Sequence, residues 1–231
     1  MMRLDKFIAS NTQHSRTDAK KLIKSGNVSI NGDIYRNANT SIDDTSDHIQ
    51  LHGQTLNALQ TRFFMLHKPA GYICANEDSE HPTVIDLISE PQKHSLQIVG
   101  RLDKDTTGLV LLTDDGQWNH KITSPNKGCA KTYHVIVKHP LKTEVIEQFK
   151  AGILLNSETK KTRPAELTII DDHHATLSIQ EGKYHQVKRM FAAVGNRIVG
   201  LHRQAIGDIS LDTDLKVGDY RPLNTTEINA F

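Results

Sequence analysis

Cys74 and Cys129 are the only thiols in this 231-residue chain, and they lie far apart in the sequence. So few cysteines exclude a disulfide-stapled scaffold, and their spacing matches no zinc-ligand pattern. Aromatic residues make up only 5% of the chain, but hydrophobic residues reach 37%, enough for an ordinary globular core. No uncharged apolar run approaches the ~20 residues that a membrane-crossing helix needs. The opening Met1-Met2-Arg3-Leu4-Asp5 lacks the charged-then-apolar layout of a secretory signal. A reduced, cytoplasmic protein with no membrane partner is expected. No sustained apolar stripe suggests self-association, so a monomer is expected as well.

A strong charge of one sign is also missing. The formal net charge is +1, yet this average conceals two basic zones. Residues 1–28 carry Arg3, Lys6, Arg16, Lys20, Lys21 and Lys24 against Asp5 and Asp18. Residues 181–205 carry Lys183, Lys188, Arg189, Arg197 and Arg203 against Glu181. Between them, residues 71–90 hold acids and no Lys or Arg. Such a distribution fits a large anionic partner that touches both zones; it fits two solvated helix faces equally well.

Apolar spacing divides the chain into a small unit and a larger one. Leu4, Phe7 and Ile8 begin a helix over residues 3–9, and a break follows at Ser10-Asn11-Thr12. Ser15 is a natural N-cap for a second helix over residues 16–24, with Ala19, Leu22 and Ile23 inward and Gly26 as its stop. Val28-Ser29-Ile30, the turn Asn31-Gly32 and Ile34-Tyr35 predict a hairpin, and Ile49-Gln50-Leu51 a further strand after a polar loop. A polar connection over residues 57–61 precedes a change of composition at Phe63-Phe64-Met65-Leu66. Beyond it, runs at 109–112, 133–137, 167–170 and 175–179 predict strands, and segments 143–150 and 184–194 predict helices. Strands and helices mix without regular βαβ alternation. An α+β fold with a largely antiparallel sheet is therefore expected.

The densest chemistry lies in Gly100-Arg101-Leu102-Asp103-Lys104-Asp105-Thr106-Thr107-Gly108, directly before the apolar Leu109-Val110-Leu111-Leu112. Two acids and an arginine in a glycine-bounded loop at the edge of a core strand suit an exposed, rigidly held active site. The same residues suit a turn whose carboxylates cap backbone amides. Asp103, Asp105 and Asp114 partly mimic a calcium loop, but the intervening positions are mostly apolar and the last acid is not Glu. Asp-x-Asp-x-Thr also resembles the nucleophile motif of haloacid-dehalogenase-like phosphatases. That motif follows a strong strand, whereas here the strong strand comes after it.

The pattern Gly100-Arg101-Leu102-Asp103-x-x-Thr106-Thr107-Gly108-Leu109, followed by Leu112-Thr113-x-Asp115-Gly116, resembles the central motif of pseudouridine synthases of the RsuA/RluA type. Three further motifs follow the family order: His67-Lys68-Pro69-Ala70-Gly71-Tyr72, Lys131-Thr132-Tyr133, and Glu181-Gly182-Lys183-Tyr184-His185-Gln186-Val187-Lys188-Arg189-Met190-Phe191. The N-terminal unit is similar to an S4 RNA-binding domain through Arg3-Leu4-Asp5, Ser15-Arg16, Ala19, Ile23, Gly26, Val28 and Asn31-Gly32. The endings Arg203-x-x-Ile206-Gly207 and Gly218-x-Tyr220-Arg221-Pro222-Leu223 look closest to members that modify uridine 516 of 16S rRNA. The resemblance covers nearly the whole chain. It implies a small S4 (αL-type) domain over residues 1–60. It also implies a pseudouridine synthase catalytic domain over residues 61–231, built on a mixed, largely antiparallel sheet flanked by helices.

That resemblance implies isomerisation of one uridine in 16S rRNA, free or in an assembling small subunit, without cofactor or metal. It makes Asp103 the catalytic carboxylate, Tyr133 the ring that packs on the flipped base, and Lys188 the cation paired with Asp103. Many relatives carry arginine in place of Lys188, and lysine offers a point charge where arginine offers a planar fork. The chemistry suits these types. Breaking the N1–C1′ bond and rejoining C5 to C1′ needs an ionised carboxylate near C1′, and a cation beside it favours the charged form. Arg3, Arg16, Lys20, Lys21 and Lys24 are then candidate phosphate contacts of the S4 domain. Lys183, Arg189, Arg197 and Arg203 are candidates to line the cleft, with His185 near it. Arg101 would hold opened RNA or make a structural salt bridge. Most of the 13 histidines read as surface or hydrogen-bonded residues. Two rivals differ in substrate or class: a large-subunit rRNA synthase, and a non-catalytic rRNA-binding assembly factor.

Overall fold

The computed structural model describes residues 1–56 and 61–231, so most of the expected 57–61 connection lies outside the described residues. The chain divides into two compact units, Met1–Gln60 and Thr61–Phe231.

In the first unit, β1 (Met2–Arg3) leads into α1 (Leu4–Asn11) and α2 (Arg16–Lys24). Helix α1 runs two residues into the predicted break and ends at its C-cap Thr12, where Asn11 Nδ2 and Thr12 Oγ1 donate to the carbonyls of Phe7 and Ile8 and close its last turn. Helix α2 has the expected bounds, with the Ser15 hydroxyl accepting from the Asp18 amide. It stops at Gly26, whose φ of +78° lets the Gly26 and Asn27 amides fold back onto Ile23 and Leu22. β2 (Val28–Ile30) and β3 (Asp33–Ile34) form the hairpin around Asn31-Gly32, both residues at positive φ. Three short strands complete the unit: β4 (Ser41–Ile42), β5 (Ile49–Leu51) and β6 (Gln54–Leu56). The order β3-β2-β5-β6 forms one sheet, while β1 pairs with β4. Leu4, Phe7, Ile8, Ala19, Ile23, Val28 and Ile49 close the core between helices and sheet.

The second unit is built on a nine-stranded sheet. Its elements are β7 (Phe63–Lys68), β8 (Gln97–Val99), β9 (Thr107–Thr113), α3 (Gly116–Thr123), β10 (Lys131–Val137), α4 (Glu144–Lys150), β11 (Glu166–Ile169) and β12 (His174–Ile179). The chain ends with α5 (Gln186–Ala193), β13 (Ile198–Ile206), β14 (Ile209–Ser210), β15 (Tyr220–Pro222) and α6 (Thr225–Ile228). The main path runs β11-β12-β10-β13-β9-β7-β15, with β14 on β13 and β8 on β9. Every pairing is antiparallel except β13 against β9, at His202↔Thr107 and Arg203↔Gly108.

The Leu109–Leu112 stretch of central strand β9 is wholly apolar, and both its faces are covered. Val110 and Leu112 enter the core shared with Phe149 of α4 and Phe191 of α5. Leu109 and Leu111 enter a second core with Trp118 and Ile122 of α3. Strand β13 goes beyond the sequence expectation: its Gly200, His202, Arg203 and Gln204 hide any apolar alternation, yet it pairs with both β10 and β9. Among the described residues no helix is long and apolar enough to cross a membrane.

The β9–β13 junction depends on one missing side chain. Gly108 has φ +105°, and a Cβ there would stand 2.3 Å from the Arg203 carbonyl oxygen and 2.7 Å from its amide nitrogen. We expect Gly108→Ala to destabilise the larger unit by about 2–4 kcal/mol through backbone strain and strand displacement. Thermal unfolding measures it, and an unchanged midpoint would contradict this account of the junction.

Candidate active site

The loop between β8 and β9 carries Asp103, and two buried cations hold it from beneath. Lys68, at the end of β7, is wholly buried; its Nζ donates to the carbonyls of Thr106 at 2.7 Å, Pro69 at 3.1 Å and Lys104 at 3.3 Å. Arg203 of β13 is 1% exposed, and donates from Nε to Leu109 O at 2.8 Å and from Nη2 to Gly100 O at 2.7 Å. Burial pushes the Lys68 pKa below that of an ordinary lysine, while Cys74, Asp105 and Asp103 work in the opposite direction. The loop is also pinned by the Leu102 amide on Cys74 Sγ and by the Gly71 amide on Lys104 O. A turn closed from the Thr106 amide to Asp103 O completes it.

Helix α5 supplies the facing wall. Val187, Met190 and Phe191 bury one of its faces, which fixes Lys188 on the adjoining one. Lys188 Nζ lies 3.0 Å from Asp103 Oδ2 and 2.6 Å from Asp105 Oδ1, so one ammonium bridges two carboxylates. Burial of Lys188 works to lower its pKa, but the two carboxylates prevail and raise it above the ordinary lysine range. The hydrogen bond from Lys188 correspondingly lowers the pKa of Asp105. His185, at φ +47° just before α5, points Nε2 at Asp103 Oδ1 from 3.3 Å. Asp103 keeps 29% of its side chain exposed, so it stays accessible between these two partners.

These groups meet in a cleft of about 100 Å³, lined by Arg101, Leu102, Asp103, Thr106, Tyr133, Ile179, Lys183, His185, Lys188 and Leu201, among others. Tyr133 of β10 is 8% exposed. Among the described residues its hydroxyl has no hydrogen-bond partner, which sets it apart from a core tyrosine with a satisfied hydroxyl. Arg101 is exposed and, among the described residues, forms no ion pair. Thr106 is a site residue that sequence reasoning overlooked: its Oγ1 is buried without a partner among the described residues. Burying an unpaired hydroxyl costs about 1–3 kcal/mol. Asp105 was visible in the motif, but its share of Lys188 follows only from the fold.

Three of the arginines expected to line the cleft do not. Arg203 lies beneath the loop, drawn inward by carbonyls that need donors. Arg189 follows Lys188 by about 100° around the helix, and so turns to Glu158 at 3.4 Å and to the Tyr184 carbonyl at 3.2 Å. Arg197 is exposed ahead of β13 and is not among the cleft residues. Lys183 does line the cleft, with Nζ 2.9 Å from Glu158. The three carboxylates of the calcium-like spacing do not converge on one point: Asp103 and Asp105 share Lys188, whereas Asp114 pairs with Arg62 at 2.7 Å.

In the smaller unit, fully buried Asp5 gathers Arg3 at 2.8 Å, Arg16 at 3.3 Å and Lys20 at 4.0 Å. Lys21 pairs with Asp18 at 3.2 Å and Lys24 is exposed. The Arg3 contacts, set against burial, hold the Asp5 carboxyl below its usual range. One buried anion thus concentrates three partly exposed cations on one patch.

Comparison with known proteins bears on both units. The family model for RNA pseudouridylate synthase matches residues 62–193, and that for the S4 domain matches residues 2–49. A ribosomal small subunit pseudouridine synthase A from Escherichia coli (strain K12) is 49% identical over 228 residues, covering 98% of this chain and 98% of that protein. The Yersinia pestis protein of the same name is 47% identical, covering 98% of this chain and 97% of that protein. A crystal structure of a pseudouridylate synthase superposes with a TM-score of 0.72 at 47% identity, covering 100% of this chain and 99% of that one.

Sharing Lys188 between two carboxylates has a measurable consequence. Asp105→Asn removes one of the two anions that raise the Lys188 pKa, so that pKa should fall toward the ordinary lysine value of ~10.4. NMR titration of the Lys188 side chain reads the change, and an unmoved pKa would show that Asp105 does not share the ammonium.

Proposed function

The chain belongs to the RNA pseudouridylate synthase family, and from that membership we propose that it converts one uridine of small-subunit 16S rRNA, at position 516, to pseudouridine. The observation that carries this reading is the Lys188–Asp103–His185 arrangement at the mouth of a cleft whose wall is Tyr133.

The target uridine leaves its stack and enters the cleft, with its base against the Tyr133 ring. Asp103 acts at the sugar, as nucleophile at C1′ or as the base that opens an elimination; either role needs an ionised carboxylate. Lys188 supplies a fixed cation beside Asp103 at neutral pH, and the two carboxylates hold its pKa above the ordinary lysine value. The N1–C1′ bond breaks, the uracil turns within the cleft, and C5 bonds to C1′. C5 then loses its proton and N1 gains one, so the product is an isomer and no co-reactant is consumed. In this reading the Tyr133 hydroxyl, without a protein partner among the described residues, helps move the C5 proton.

In this reading Arg3, Arg16, Lys20, Lys21 and Lys24 contact rRNA phosphates, joined at the cleft by Arg101 and Lys183, with Arg189 and His185 adjoining. The protein acts as a cytoplasmic monomer on rRNA or the assembling small subunit.

Site-resolved pseudouridine mapping of 16S and 23S rRNA tests the proposal. Wild-type protein should add one pseudouridine to 16S rRNA. Asp103→Asn should lower turnover at least 1,000-fold, on the order of 4 kcal/mol, with RNA affinity nearly unchanged. Modification in 23S rRNA would overturn the substrate, and an active Asp103→Asn would remove Asp103 from the chemistry. Replacing Lys20, Lys21 and Lys24 together with Gln should reduce the slope of log affinity against log salt by about two, at roughly 0.7–0.9 per lost phosphate contact. An unchanged slope would remove this face from RNA binding.

A further inference from the structure

We propose that Tyr184 is a stacking platform for the nucleobase next to the uridine that enters the cleft. The proposal deepens the pseudouridylation reading and rests on it for the identity of the RNA.

Tyr184 is 76% exposed, whereas Tyr133 is 8% exposed inside the cleft. Exposure of one aromatic ring is unremarkable by itself, but this ring stands on a turn fixed at every step. The Lys183 amide donates to Gln186 Oε1 at 2.9 Å, and the Gln186 amide donates to Lys183 O at 3.1 Å. The Tyr184 carbonyl accepts from Arg189 Nη1 at 3.2 Å. His185 holds the left-handed conformation, at φ +47°. A large ring is thus presented to water by a backbone that cannot fold it away.

One face of the ring is already used. Tyr184 stacks on the His185 imidazole with centroids 3.8 Å apart and planes 19° from parallel. His185 in turn reaches Asp103 Oδ1 at 3.3 Å. Carboxylate, imidazole and phenol therefore follow one another outward from the reacting centre, ending in an open aromatic face. The ring spacing is close to the ~3.4 Å step of a stacked strand, so a base laid on Tyr184 continues the column. Such a base is the neighbour of the flipped uridine and not the uridine itself, whose own surface is Tyr133. Stacking on an aromatic ring tolerates any base, so the platform supplies affinity and register with little sequence readout.

The test uses a 16S rRNA fragment containing uridine 516, with 2-aminopurine at either flanking position. On an Asp103→Asn background, which keeps the RNA unreacted, binding should quench the fluorophore at one flank. Tyr184→Phe and Tyr184→Trp should keep the quench, while Tyr184→Leu, apolar but unable to stack, should lose it. In the active enzyme Tyr184→Leu should raise KM about tenfold with kcat falling less than threefold. Unchanged quench and KM in Tyr184→Leu would overturn the proposal, as would a loss confined to kcat, which would make the ring a support for His185. Wild-type protein that quenches through Tyr184 but forms no pseudouridine would overturn the functional reading and leave the platform standing.

Discussion

The placement of Asp103 depends on two buried cations that, among the described residues, form no ion pair with a carboxylate. Lys68 and Arg203 are buried beneath residues 100–109 and donate to five backbone carbonyls, four within that segment and one at Pro69. Burying a charge costs several kcal/mol unless its hydrogen-bonding capacity is used. Here the carbonyl dipoles satisfy the buried donors, and the donors tie the loop's carbonyls to the strands on either side. The two side chains come from β7 and β13, which flank β9 on opposite edges. The loop that carries Asp103 is therefore clamped from both sides.

The ionic pattern above the clamp follows from helix geometry. Lys188 and Arg189 are consecutive on α5, about 100° apart, and they serve opposite ends of the site. Lys188 bridges Asp103 and Asp105, while Arg189 joins Lys183 on Glu158. A lysine suits the bridging position because a compact ammonium can serve two carboxylates at once, where a planar guanidinium favours one in bidentate register. Here the second carboxylate is Asp105, 2.6 Å from the Lys188 ammonium. Glu158 takes as its two partners Lys183, which lines the cleft, and Arg189, which does not.

Much of this was legible along the chain. The helix over residues 16–24 could be read to the residue because Ser15 and Gly26 are local signals, acting within one turn. The Asn31-Gly32 hairpin was equally local. Asp103, Tyr133, Lys188 and His185 were named from their motifs, and the fold brings all four to one cleft. Strand β13 and the burial of Arg203 were not legible. The arginine reads as a surface charge until Gly108 brings its backbone within a Cβ's distance of β9. Asp105 and Glu158 were also missed as partners, because each acts on a residue 83 or about 25–31 positions away.

The sequence by itself determined the local elements, the two-unit organisation it was expected to have, and the residue types that the chemistry needs. Capping, turn formation and apolar periodicity depend on neighbours a few positions apart, so a single chain displays them. Only the tertiary structure decided which charges meet. It sent Arg203 inward and Arg189 sideways, shared Lys188 between two acids, and stacked Tyr184 on His185 at the rim. The energy of an ion pair or a buried donor depends on distance and exposure, and neither exists until strands far apart in sequence lie side by side.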